Sequence, residues 1–155
     1  MNELQPLLAL LKQTETERDA ALSHSERLAA AQRSAQAQSE QLLAYRRDYE
    51  QRWGAQFSQD GKIELLHCYQ GFVERLSLAI RQQAQAALQA KAQAEAAATA
   101  LREHEIRVAS VRKLIERRVM QAQAGTQRRE QKQADEFAAR AAWRRPSAFG
   151  ALPAL

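Results

Sequence analysis

No proline falls between residues 7 and 145 of this 155-residue chain; Pro6, Pro146 and Pro153 all sit near its ends. A proline inside a helix removes a backbone donor and clashes with the preceding turn, so its absence leaves a very long stretch free to stay helical. The stretch is filled with strong helix formers. The chain holds 32 Ala, 20 Gln, 18 Leu and 18 Arg, all of high helix propensity. Such a bias reads as long helix or coiled coil and argues against a sheet. Much of the 45% hydrophobic fraction is alanine and aromatics make up only 6%, so a large globular core is not expected either.

One segment interrupts the pattern: Gly54-Ala55-Gln56-Phe57-Ser58-Gln59-Asp60-Gly61. Gly54 can end a helix and Asp60 can cap the next. The reading is therefore a first helix over about 4–53, a loop over 54–60 and a second helix over about 61–142. Trp143-Arg144-Arg145-Pro146 closes the second helix, and 146–155 is expected to be a flexible tail. Residues 1–145 then form one all-α unit, a long antiparallel two-helix coiled coil whose second helix is the longer.

Heptad spacing supports this plan. In the second helix the series Leu66, Tyr69, Val73, Leu76, Ile80, Gln83, Ala87, Ala90, Ala94, Ala97, Leu101, His104, Val108, Val111, Ile115, Arg118, Ala122 alternates steps of three and four and reads as a sustained seam. The first helix carries a weaker series: Leu7, Leu10, Thr14, Glu17, Ala21, His24, Leu28, Ala31, Ala35, Gln38, Leu42, Tyr45, Tyr49. Folding about residue 57 or 58 brings Tyr49 near Leu66, Leu42 near Val73 and the leucines of 4–11 opposite His104 to Val111. The second helix is then expected to overhang from about Arg112 to Arg140.

Charge is uneven. Residues 1–53 carry 7 basic and 8 acidic groups, whereas 106–155 carry 11 basic and 4 acidic groups, a net of +7. The C-terminal third is thus a candidate for an acidic partner, protein or nucleic-acid phosphate. It holds few aromatics and no nucleic-acid-binding motif, so nucleic acid is the secondary reading. Near the loop, Leu42, Tyr45, Tyr49, Phe72 and Leu76 with their neighbours form more apolar surface than one two-helix seam consumes. That surplus reads as a binding patch, or alternatively as a thickened seam or self-association.

Catalytic signals are absent. His67 and Cys68 are adjacent, and neighbours on a helix point in different directions, so a metal or nucleophile site there is disfavoured. A two-helix coiled coil offers no water-excluding cleft. No enzyme activity, cofactor or metal is expected. No stretch approaches 18 consecutive apolar residues, no signal peptide is visible, and a lone cysteine fits a reducing compartment, so the expected location is the cytoplasm.

Three segments resemble the flagellar export protein FliJ family: Gln41-Leu42-Leu43-Ala44-Tyr45-Arg46-Arg47-Asp48-Tyr49, Tyr69-Gln70-Gly71-Phe72-Val73-Glu74-Arg75-Leu76, and Gln131-Lys132-Gln133-Ala134-Asp135-Glu136-Phe137-Ala138-Ala139-Arg140-Ala141-Ala142. The resemblance implies a stalk-like, non-catalytic component of the type III export apparatus. It implies as partners an export ATPase hexamer and its regulator, a membrane export gate and export chaperones, with peripheral association at the inner membrane. On that likeness the gate-binding surface is Gln38, Leu42, Tyr45, Tyr49, Phe72, Leu76, Ala79 and Gln83, where Gln83 stands in place of the family's histidine. The basic residues Arg112, Lys113, Arg117 and Arg118 are expected to meet the ATPase ring. The equivalent stalk protein of an injectisome shares the architecture and remains the alternative organelle.

Overall fold

A computed structural model describes residues 3–59 and 61–145. It contains two helices, α1 (Leu4–Gln59) and α2 (Ile63–Arg144), of 56 and 82 residues. They pack against each other, and the second is the longer. The expected cap at Asp60 and the expected tail at 146–155 lie outside the described residues.

Gly54 does not end the first helix, contrary to the expectation of a loop over 54–60. Helix continues to Gln59. The reason is aromatic packing. Trp53 and Phe57 sit one turn apart with ring centroids 5.4 Å from each other, and both lie against Tyr69, at 5.6 and 5.5 Å. A glycine in a helix costs about 1 kcal/mol, whereas each such ring pair contributes about 0.5–1.5 kcal/mol beyond its burial. The packing wins. Gly61 and Lys62 then precede α2, where the Leu66 amide donates to the Lys62 carbonyl at 3.3 Å.

The chain divides into two compact units, Lys12–Val108 and Met1–Leu11 with Ala109–Leu155. In the larger unit α1 and α2 run antiparallel. Tyr49 stacks on Tyr69 and packs on Phe72, and Gln83 reaches Ala35 and Gln38. This register lies about one helical turn from the expected pairing of Tyr49 with Leu66, because the connection falls after Gln59 rather than at 57 or 58. The α2 series is correct from Tyr69 to Val108: every position in it is buried or half-buried, while Leu66 is exposed. The α1 series is correct only at every second position. Thr14, Ala21, Leu28, Ala35, Leu42 and Tyr49 face inward, but Glu17, His24, Ala31, Gln38 and Tyr45 are exposed, and Arg18, Ser25, Gln32, Ser39 and Arg46 take their places. The step after each shared residue is four, not three. Arg18 and Arg46 can occupy a seam because their stems bury while their heads reach outward, to Asp19 at 3.0 Å and Glu50 at 3.9 Å.

The core of this unit is thin. Its buried apolar residues are Leu76, Ile80, Ala94, Ala97 and Val108. The alanines let the helix backbones approach closely.

In the smaller unit Leu4, Leu7 and Leu11 of α1 and Val111, Ile115 and Val119 of α2 are half-buried. The Glu3 carboxylate lies 3.7 Å from the Arg118 guanidinium. The first turn of α1 therefore extends opposite Arg118, beyond the expected range of His104 to Val111. From Thr126 to Arg145 every side chain is exposed, so the unpaired stretch begins well after the expected Arg112. Arg144 in the last turn complements the negative helix end.

Candidate functional site

Two surfaces emerge, one on each unit. The first is built where the aromatic rings of the larger unit give way to small seam residues. Tyr45, Tyr49 and Phe72 form a contiguous group: Tyr45 lies 6.3 Å from both other rings, and Tyr49 lies 4.2 Å from Phe72. Each is held by helical spacing, Tyr45 and Tyr49 being one turn apart on α1. Tyr49 and Phe72 are half-buried between the helices, whereas Tyr45 is 51% exposed. One turn further along, Gln38, Gln41, Leu42, Tyr45 and Gln83 line a groove of about 470 Å³.

The structure thus brings four of the eight sequence-derived residues, Gln38, Leu42, Tyr45 and Gln83, to one groove, with Phe72 beneath Tyr45. Leu76 is different. It is 8% exposed and belongs to the interior, and Ala79 is half-buried beside it. The apolar surplus inferred from sequence is therefore smaller than expected, because Phe72 and Leu76 serve the contact between helices. Gln41 also lines the groove, and its spacing of three from Gln38 and four from Tyr45 marks it on the same face. A second shallow depression beside Tyr45 is lined by Gln41, Ala44, Arg47, Asp48 and Gln51.

The groove carries no ionised side chain among its five lining residues. Its chemistry is one aliphatic wall, one phenol and three amides. Gln83 Nε2 donates to the Ala35 carbonyl at 3.2 Å and to Gln38 Oε1 at 3.1 Å.

The second surface lies on α2 in the smaller unit. Arg112, Lys113 and Arg117 are exposed, as is Arg118 beside Glu3. Further along, Phe137 and Trp143 are 76% and 90% exposed, and Phe137, Arg140, Ala141, Arg144 and Arg145 line a shallow groove of about 430 Å³. Phe137 and Arg140, three residues apart, and Arg144, seven apart, share a helix face by spacing alone.

His67 and Cys68 are exposed on α2. Among the described residues no group of three His, Cys, Asp or Glu side chains could hold a metal ion, and no helix is long and apolar enough to cross a membrane.

The architecture and surfaces define a two-helix protein of coiled-coil type, with one uncharged groove and one basic helical face. Residues 2–147 match the family model of the flagellar FliJ protein, and the chain belongs to that family. It is accordingly a flagellar export-associated protein. No curated protein and no solved structure matches it.

Proposed function

We propose that this protein is a non-catalytic coupling element of flagellar protein export, joining an export ATPase ring with its regulator to the membrane export gate and receiving export chaperones. The single observation that carries the reading is the family match over residues 2–147. It acts in the cytoplasm and associates peripherally with the inner membrane through the gate. The groove of Gln38, Leu42, Tyr45 and Gln83 docks on the gate, supported by Tyr49, Phe72, Leu76 and Ala79. The basic residues Arg112, Lys113, Arg117 and Arg118 meet acidic groups of the ATPase ring.

The physical support is the difference between the two surfaces. Apolar and amide groups around an exposed tyrosine make a typical interface centre. Exposed arginines suit a carboxylate-lined partner, since guanidinium pairs with carboxylate in a fixed fork. Nothing in either surface resembles a cleft that excludes water from a reacting bond.

Tyr45 is the right residue to test. Tyr49 and Phe72 also hold the helices together, so replacing them confounds folding with binding. Tyr45→Ala removes a half-exposed ring and should abolish capture of the gate protein's cytoplasmic domain while leaving the far-UV circular dichroism spectrum intact. Undiminished capture by a folded Tyr45→Ala protein refutes the gate assignment. Co-purification of the chain with the export ATPase tests the other end.

A further inference from the structure

The amide of Gln83 is turned inward. Its nitrogen lies 3.2 Å from the Ala35 carbonyl oxygen and 3.1 Å from Gln38 Oε1. A carbonyl can only accept, so the nitrogen rather than the oxygen faces Ala35. An amide nitrogen carries two N–H groups, and both are directed across the seam to α1. The amide atoms left outside these two bonds are Gln83 Oε1 and the nitrogen of Gln38.

We infer that Gln83 is a positioning residue, a clasp between the two helices that sets the docking groove, rather than a donor to the partner. This rests on the groove being a docking surface, as proposed above. The local packing explains why a clasp matters here. Ala35 and Ser39 on α1 and Ala87 and Ala90 on α2 are half-buried small residues. They bury little apolar area, so they specify the position of one helix along the other only weakly. A directional hydrogen-bonded pair supplies that specification, in the way a polar residue at a seam position fixes register in coiled coils. The clasp also ties Gln38, on one wall of the groove, to Gln83 on the other, with Leu42 and Tyr45 one and two turns along α1 from Gln38.

The test separates positioning from contact. Gln83→Leu keeps the size and loses both donors; Gln83→Glu is a carboxylate at neutral pH and cannot donate. In the full-length protein alone, both should speed amide hydrogen exchange over residues 35–42 by about threefold to tenfold, the loss of one modest hydrogen-bonded tie. Calorimetric binding to the gate protein's cytoplasmic domain should weaken by a similar factor. Tyr45→Ala should lose binding with exchange unchanged. The deciding arm is an Ala35→Cys/Gln83→Cys pair in a Cys68→Ser background, which replaces the amide tie with a covalent one. Binding should be low when the pair is reduced and recover when it is oxidised.

An oxidised pair that stays weak shows that the partner needs the Gln83 amide itself, and overturns the inference. So does weakened binding by Gln83→Leu with exchange unaltered. If Tyr45→Ala binds normally while Gln83→Leu still speeds exchange, the docking reading fails and the clasp between helices survives.

Discussion

Val108 is 2% exposed and Ile106, two positions away on the same helix, is 65% exposed. The larger aliphatic side chain therefore contributes less to stability. Val108→Ala removes two buried methyl groups and should cost about 1–2 kcal/mol, whereas Ile106→Ala should change stability by less than about 0.5 kcal/mol. Urea titration followed by circular dichroism measures both; equal costs contradict the assigned inner face. Ala97, 6% exposed, tests the same face from the opposite direction. Ala97→Leu forces three extra carbons into a seam of small residues and should cost about 1–3 kcal/mol. Polar side chains obey the same logic. Arg18 and Arg46 occupy half-buried seam positions yet keep a carboxylate partner at the surface, which is what a long side chain with a charged tip permits.

Both helices keep glycines in their interiors. An added Cβ at Gly54 or at Gly71 meets nothing within 4 Å, and neither backbone has a positive φ. Glycine at such places only adds freedom to the unfolded chain. Gly54→Ala and Gly71→Ala should each stabilise the protein by about 0.5–1 kcal/mol, seen as a higher urea midpoint. A lower midpoint for Gly54→Ala would mean that α1 stops before residue 59. The far part of α2 follows a different rule. Residues 126–145 are all exposed, and a helix without tertiary packing is held only by its own propensity. Amide exchange there should be faster than at Ala94 to Val108, and a bound partner should slow it.

For the molecule as a whole, two chemically unlike surfaces predict two unlike responses to salt. On the proposed contact, Arg117→Glu/Arg118→Glu should weaken co-purification with the export ATPase, and so should raising ionic strength, because exposed charges are screened within about 10 Å at 0.1 M salt. Gate binding through the amide-lined groove should change little over the same range. Co-purification indifferent to both charge reversal and salt removes the basic face from the proposed ATPase contact. Loss of the Glu3–Arg118 pair should not explain such an effect, since pairs as exposed as this one contribute at most about 1 kcal/mol.

Much of this was legible in the residues alone. The proline-free stretch and its helix formers determine an all-helical chain, Gly61 falls in the connection between the two helices, and the α2 seam follows from its spacing because one stripe there is far more apolar than any other. The α1 seam was not legible, and the physical reason is specific. Leu10 and Leu11 are equally apolar, and in the middle of α1 steps of three and four both land on small or polar residues, so neither stripe dominates. Only contact with α2 chooses between them. The same holds for the register and for the end of α1: whether Gly54 stops a helix depends on whether Trp53 and Phe57 find Tyr69, which is a matter of tertiary packing. The inward turn of Gln83 belongs there too, because an amide's partners are decided by which carbonyl the neighbouring helix brings within reach.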